Sequence, residues 1–455
     1  MRGELFNAQQ LPDGQPDLPM KILYLTGGAG QMYCGSCLRD NALATELIAR
    51  GHDVTLLPVY TPTLTDEPNV SHDKVFFGGI SVYLEQYLPL FRKSPKWLDS
   101  IWDSKPMLSL ASRRSISTSP KMLGEMTVSM LKGEHGFQRK EIGKLLDWLR
   151  VEGKPDVVSL PYSLLLGLAK PLKEALGRPI LCTLQGEDLF LEGLQEPYRT
   201  EAKQLISEHL RDIDAFISVS RFYAEFMPDY LGIPKSKIRV VPLGINLEGY
   251  QKRQRAHPEK FTVGFFARIA PEKGLHVLAD AYRLLRKSGR LENARLVVAG
   301  YLAPEHKKYL GDIQEEMMQS GFGDEFTYQG VLDREQKIVF LQSLDLLSVP
   351  ATYNEPKGIF LLEAMACGVP LVQPRRGGFT EIVEQAQSGL LVDPDNVDAL
   401  AEGILSLANN PELAAQFSDN GFIKVREHYS VARMADSALE VYRSVIPEVQ
   451  SAQGR

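Results

Sequence analysis

Two glutamates, Glu355 and Glu363, stand within NEPKGIFLLEAMACGVP (354–370), the first ahead of a helical pattern and the second inside it. From Pro356 to Ala366 the residue types suit a helix of about ten residues, roughly 15 Å long. Asn354 and Glu355 stand at its start, and Pro356 falls where a missing N–H does no harm. Gly368 suits the left-handed position past the helix end, and Pro370 blocks continuation. The first turn of such a helix offers unpaired amides and a partial positive charge, which together attract an anion. Glu355 at that mouth is either a cap or a group reserved for a ligand. A second cluster, ARIAPEKG (267–274), sets Arg268 and Lys273 five residues apart across a strand-to-helix turn. Arginine supplies a planar fork and lysine a point charge, so the pair can converge on one diphosphate. The structural alternative is that Lys273 solvates the turn and Arg268 pairs with a neighbouring carboxylate.

The loop GGAGQMYCGSC (27–37) puts Gly27, Gly28 and Gly30 where backbone can approach a ligand closely. It lacks the G-x-G-x-x-G spacing of a dinucleotide site, and DVTLLPVY (53–60) ends without an acidic residue for a ribose. Cys34 and Cys37 form a C-x-x-C, read either as a low-pKa thiolate or as small packing around the glycine loop. Zinc would need two further ligands, and Cys182 and Cys367 are solitary on other elements. Asp212 with Asp214, and Asp393 with Asp395, have D-x-D form but read as a helix end and a turn. No metal is assigned to them.

These residues need elements to hold them. Six short apolar runs, 21–27, 53–60, 156–162, 179–186, 215–220 and 238–244, alternate with helical patterns in the first half. Six more follow at 261–268, 294–300, 326–332, 346–352, 369–375 and 389–394. Continuous apolar strands between amphipathic helices imply parallel sheets covered on both faces, hence two doubly wound domains. The polar segment EGYQKRQRAHPEK (248–260) reads as the linker. Ligands in such sheets lie at the carboxyl ends of strands, and every glycine-rich or charged cluster above follows a strand. Two facing domains would make those clusters line one cleft.

Composition agrees with a soluble enzyme. The 455 residues are 44% hydrophobic and 24% charged, and a net charge of −6 gives no reason to expect nucleic-acid binding. No run approaches the ~18 apolar residues that span a bilayer. Residues 1–19 read as a polar tail, not a signal peptide. Four cysteines make no disulfide framework, so the cytoplasm is the expected compartment.

FFARIAPEKG, GDEFTYQGVLDREQ and YNEPKGIFLLEAMACGVPLVQPRRGGFTEIVEQAQSGLLVDPDNVDAL closely resemble the retaining glycosyltransferases of family 4. The likeness covers nearly all the second half and extends into the first through AFISVSRFYAEFMPDYLGIPKSKIRVVPLGIN (215–246). It implies the GT-B fold: two Rossmann-like α/β domains facing across a cleft, with a C-terminal helix crossing back to the first. The domains are then an acceptor domain at 20–246, carrying an insertion at about 65–150 and completed by 431–455, and a nucleotide-sugar domain at 247–430. The resemblance places Glu355 on donor-sugar hydroxyls, Glu363 on the ribose, and amides near Gly358 and Ile359 on the diphosphate. Arg268 and Lys273 would neutralise the leaving nucleotide, and backbone around Gly330 and Val331 would hold the base. Transfer with retention then needs neither a carboxylate nucleophile, nor a metal, nor a cofactor, since the nucleotide sugar is itself the substrate.

Three departures stand out. Glu355-Pro356-Lys357-Gly358 replaces the common E-G-F-G, bringing an extra cation either to the phosphates or to solvent. Gln185 stands where many members carry a sugar-contacting His. The loop carrying Gly27 and Gly28 is longer than usual, while FFGGISVYLEQYLPLFRK (76–93) is similar to the starch and glycogen synthase branch without its K-T-G-G-L loop. Residues 91–144 hold eleven Lys and Arg against five Asp and Glu, with Trp97 and Trp102 close together. Such a surface could take an anionic or lipid-linked acceptor or lie on the inner membrane face, or be a solvated helical cover. The expected activity is transfer from a nucleotide-diphosphate sugar, UDP-linked, to a saccharide, small-molecule or lipid-linked acceptor. The alternatives are an α-glucan synthase and a sugar-nucleotide-binding module without turnover.

Overall fold

The computed structural model describes residues 18–28, 33–77, 86, 120–253 and 260–447. Most of the polar tail, Gly30, Trp97 and Trp102, residues 91–119 of the basic segment, and 448–455 lie outside the described residues.

The first sheet contains β1 (Lys21–Thr26), β2 (Asp53–Pro58), β3 (Val157–Leu160), β4 (Ile180–Leu184), β5 (Ala215–Ser218) and β6 (Ile238–Val240). The second contains β7 (Phe261–Phe266), β8 (Ala294–Ala299), β9 (Phe326–Tyr328), β10 (Leu346–Leu347), β11 (Leu371–Pro374) and β12 (Gly389–Val392). Each of the twelve apolar runs becomes a strand. The order is β2-β1-β3-β4-β5-β6 in one sheet and β12-β11-β10-β7-β8-β9 in the other. Every pairing is parallel, as in Tyr24 against Leu56 on one side and Ser159 on the other. Ile22, Leu25, Val157 and Val158 are fully buried, the mark of strands covered on both faces. The chain has the GT-B architecture of two Rossmann-like domains.

Strand order reverses between β1 and β3 in the first sheet and between β7 and β10 in the second. Crevices at such reversals are where doubly wound sheets bind ligands. The helices bearing on them are α1 (Gly35–Ala49), α2 (Arg221–Leu231), α3 (Leu275–Lys287), α4 (Arg334–Gln342), α5 (Ile359–Ala366) and α6 (Gly377–Ala386). A seventh, α7 (Val431–Val445), returns to the first domain. Its Met434, Ala435, Ala438, Leu439 and Tyr442 recur at helical spacing and pack with Ile22, Leu43 and Ile217. The crossing is pinned at Ile245, whose N–H donates to Tyr429 O while its carbonyl accepts from Val431 N–H, both at 2.9 Å.

The helix expected from Pro356 begins later. Gly358 has φ of +84°, a left-handed N-cap, so Glu355, Pro356 and Lys357 form a non-helical approach with a bend at Pro356, and α5 starts at Ile359. Gly368 does adopt the expected left-handed conformation, with φ of +68°. Glu363 consequently lies in the second turn, on a helix whose residues from Leu361 to Ala366 are buried.

Candidate active site

Lys273 and Glu355 form the inner part of the site. The turn after β7 runs through a short 3-10 segment, Pro271–Lys273, which lifts Lys273 towards the segment after β10. Its ammonium pairs with Glu355 Oε2 and donates to Tyr353 Oη at 2.7 Å. Tyr353 in turn donates to the same carboxylate oxygen, and Lys357 N–H donates to Oε1 at 3.2 Å. Glu355 is 3% exposed. Burial alone would push its carboxyl up, but Lys273 and Lys357 with the Tyr353 hydroxyl bring it down to about 2. The group is therefore an ionised, fixed acceptor.

Arg268 behaves differently. Its guanidinium is 37% exposed and pairs with Glu272 at 2.5 Å. Without ligand, then, each member of the cationic pair holds its own carboxylate. Arg268 nevertheless lines a cleft pocket of about 690 Å³, open to solvent, together with Tyr33, Val331, Ile359, Phe360 and Glu363. No side chain caps α5, and while Leu361 N–H donates to Gly358 O at 2.9 Å, the amides of Ile359 and Phe360 are left for a ligand. Gly330 stands beside the pocket, its carbonyl accepting from Gly300 N–H at 2.8 Å.

Glu363 has partners that the sequence reading did not identify. Lys337 of α4 donates to Glu363 Oε1 at 2.5 Å and also pairs with Asp66, a residue of the first domain. Tyr250 Oη donates to the same Glu363 oxygen at 3.2 Å. Beside it, Arg334 pairs with Glu67 at 2.8 Å. Lys337 is 4% exposed. Burial disfavours its charge, yet Glu363 and Asp66 hold the ammonium ionised well above the usual lysine range. Lys337 sits three and four residues before Phe340 and Leu341 on the buried face of α4, so its helical spacing was the available signal.

The first domain supplies the facing wall. Gly28 has φ of +71°, and a Cβ there would fall 1.9 Å from Thr61 O, so the turn after β1 requires glycine. Gly27 packs against the Tyr162 ring. Gln185 is turned into its own domain, its Nε2 donating to Pro161 O at 2.7 Å, and its Oε1 has no partner among the described residues. Neighbouring Gly186 touches Pro356 across the cleft. Lys357 points neither to solvent nor into the pocket but donates through Nζ to Ser36 Oγ at 2.8 Å on α1. Thus Arg268, Val331, Ile359 and Glu363 share the pocket, Lys273 and Glu355 pair beside it, and Gly27, Gly28 and Gln185 shape the opposite wall. Asp214 is engaged by Lys173 and Asp395 by Arg376.

Known proteins bear on this arrangement. The family model described as Glycosyl transferases group 1 matches residues 248–423, the part that holds Arg268, Lys273, Glu355 and Glu363. The model described as Glycosyltransferase Family 4 matches residues 128–248. These matches support a glycosyltransferase of the GT-B kind. An uncharacterized glycosyltransferase of Methanocaldococcus jannaschii is 27% identical over 239 residues, 50% of this chain and 59% of that protein. The chain thus spans about three-fifths of that relative's length. The lipopolysaccharide core biosynthesis mannosyltransferase LpsB of Rhizobium meliloti is 25% identical over 66% of this chain and 82% of that protein. Among solved structures, Anabaena Alr3699/HepE in complex with UDP covers 93% of this chain and 100% of its own, with a TM-score of 0.66 and 18% identity. At that identity the likeness is one of GT-B fold.

Proposed function

We propose that the protein is a retaining glycosyltransferase that moves a sugar from a UDP-linked donor to an acceptor hydroxyl without a metal ion. The observation that carries this reading is a single pocket joining Arg268, the uncapped start of α5 and Glu363. Departure of the sugar leaves charge on the diphosphate. Arg268, Lys273 and the amides at Ile359 are fixed positive groups suited to meet it as it develops. Glu363 receives the ribose diol, and the UDP complex of the Anabaena neighbour supports uracil as the base. Glu355 has its oxygens occupied by Lys273, Tyr353 and the Lys357 amide, which suits it to orient sugar hydroxyls rather than to attack carbon. The acceptor proton then passes to a diphosphate oxygen. The acceptor is a saccharide, a small molecule or a lipid-linked hydroxyl. No described helix is long and apolar enough to cross a membrane.

The test is a melting-temperature panel of nucleotide sugars, followed by product analysis. A donor at about 100 times its Kd adds about 2.7 kcal/mol of stability. Expected are stabilisation by a UDP-sugar, turnover that exhaustive EDTA leaves unchanged, and a product with the donor's anomeric configuration. Stabilisation without product on any acceptor would mark a binding module. No stabilisation by any nucleotide sugar would overturn the reading. Transfer to glycogen primers would instead identify an α-glucan synthase.

A further inference from the structure

Cys34 and Cys37 stand at the start of α1, on the wall facing Lys357 and the beginning of α5. Cys34 is the N-cap, with its carbonyl accepting from Leu38 N–H at 2.9 Å, and Cys37 is one turn on. No side-chain oxygen caps α1, and the amides of Ser36 and Cys37 face the Cys34 sulfur instead. All four cysteines are free thiols, and of these Cys37, Cys182 and Cys367 are buried while Cys34 is partly open. Lys357 reaches across the cleft to Ser36, between the two cysteines. The approach is tight: a Cβ added at Gly35 would meet Ile359 Cδ1 at 3.3 Å.

We propose that Cys34 and Cys37 are a reversible dithiol–disulfide site, whose oxidation state sets the charge beside the start of α5. Residues three apart on a helix have Cβ atoms about 5–6 Å apart. A disulfide needs about 3.8 Å, an adjustment an N-cap residue can supply because it lies outside the regular turns. The contact with the Cys37 thiol, the helix amides and Lys357 all favour the Cys34 thiolate, while Cys37 is pushed up by its neighbour and by burial. Cys34 is therefore the attacking sulfur and Cys37 the resolving one.

The co-reactant is a small-molecule disulfide such as oxidised glutathione. Cys34 thiolate attacks one of its sulfurs, the S–S bond breaks, and the first small thiolate leaves as a mixed disulfide forms. Cys37 loses its proton, attacks Cys34 Sγ and expels the second small thiolate. The two protons released by the protein end on two small thiols. Two cysteine sulfurs are oxidised by two electrons, and one small disulfide is reduced.

A neutral disulfide no longer places negative charge next to the segment that carries Lys357. Repulsion of an anionic donor falls accordingly. One charge acting over a separation on the order of 10 Å, at an effective dielectric of about 40–80, changes affinity by a factor of about two to four. That consequence rests on the donor reading above, whereas the thiol chemistry does not.

The experiment uses the full chain. At neutral pH, iodoacetamide should label Cys34 well before Cys182 and Cys367. Oxidised glutathione should remove two labelling sites with loss of two hydrogens from the intact mass, reversed by dithiothreitol. Cys37→Ser should stop at the glutathione adduct, and wild-type mass data decide the matter if that variant does not fold. Labelling of Cys34 no faster than of the buried cysteines, or four thiols surviving oxidised glutathione, overturns the site. The oxidised protein should show a donor KM two to four times lower than the reduced one, and an unchanged KM would overturn the link to the cleft. Failure of every nucleotide sugar to bind would leave the labelling results standing and refute only the donor reading.

Discussion

Replacing Lys273 by Met keeps a side chain of similar length beside Tyr353 and Phe360 and removes only the ammonium that faces Glu355. The cost can be worked from that carboxylate. Its folded value of about 2 lies below the 4.5 of an unperturbed glutamate. A group depressed in this way adds stability above about pH 4.5 and loses it as pH falls towards 2. The interval corresponds to about 3 kcal/mol, the net effect of burial against Lys273, Lys357 and Tyr353, with Lys273 the largest favourable contributor. Removing one partner of a buried pair costs about 3–5 kcal/mol, in agreement. At about 2–4 °C per kcal/mol for a domain of 150–250 residues, the variant should melt about 6–12 °C lower at neutral pH. The gap should narrow on acidification, because protonation relieves the unpaired Glu355 of the variant while the wild-type carboxylate keeps its charge. Lys273→Met with Glu355→Gln should recover much of the loss, since no uncompensated charge remains buried. The assay is circular dichroism melting from pH 7.5 to 3.5. A gap independent of pH, or a double variant less stable than Lys273→Met, would refute the buried pairing.

Three further outcomes concern transfer itself. Arg268→Ala should lower turnover about ten- to a hundredfold, the equivalent of one charge-assisted hydrogen bond of about 1.5–3 kcal/mol, and Arg268→Lys should restore only part because a point charge lacks the fork. Combining Arg268→Ala with Lys273→Met should be sub-additive in turnover if, as proposed, both cations act on the donor diphosphate, and additive in melting, because they hold separate carboxylates. Independent kinetic losses would place the diphosphate elsewhere. Glu363→Ala should chiefly raise the donor KM and Glu355→Gln chiefly lower turnover, measured as separate steady-state constants; equal effects on nucleotide affinity alone would sink that division.

The legible and illegible parts of the site differ in range. Strand runs such as KILYLTG carry their own evidence, since a parallel strand buried on both faces must be apolar throughout. Arg268, Lys273 and the α5 segment could be placed for the same reason: each follows directly on such a strand. The start of α5 lies three residues beyond the expected one because Pro356 fits a first helical turn and a bend ahead of the helix equally well. Gly358, with its positive φ, decided for the second. Contacts across the cleft had no local signal. Asp66 and Lys337 are 271 residues apart and Ser36 and Lys357 are 321 apart, so their pairing depends on how two separately patterned sheets face each other. Lys337 lies between these cases. A lysine on the apolar face of REQKIVFLQ must find a carboxylate or drive its helix outward, so its need for a partner could be read locally. Which carboxylates met that need could not, because Glu363 comes from the adjoining helix and Asp66 from the opposite domain. The residue whose partners were least legible is thus the one that ties Glu363 of one domain to the wall of the other.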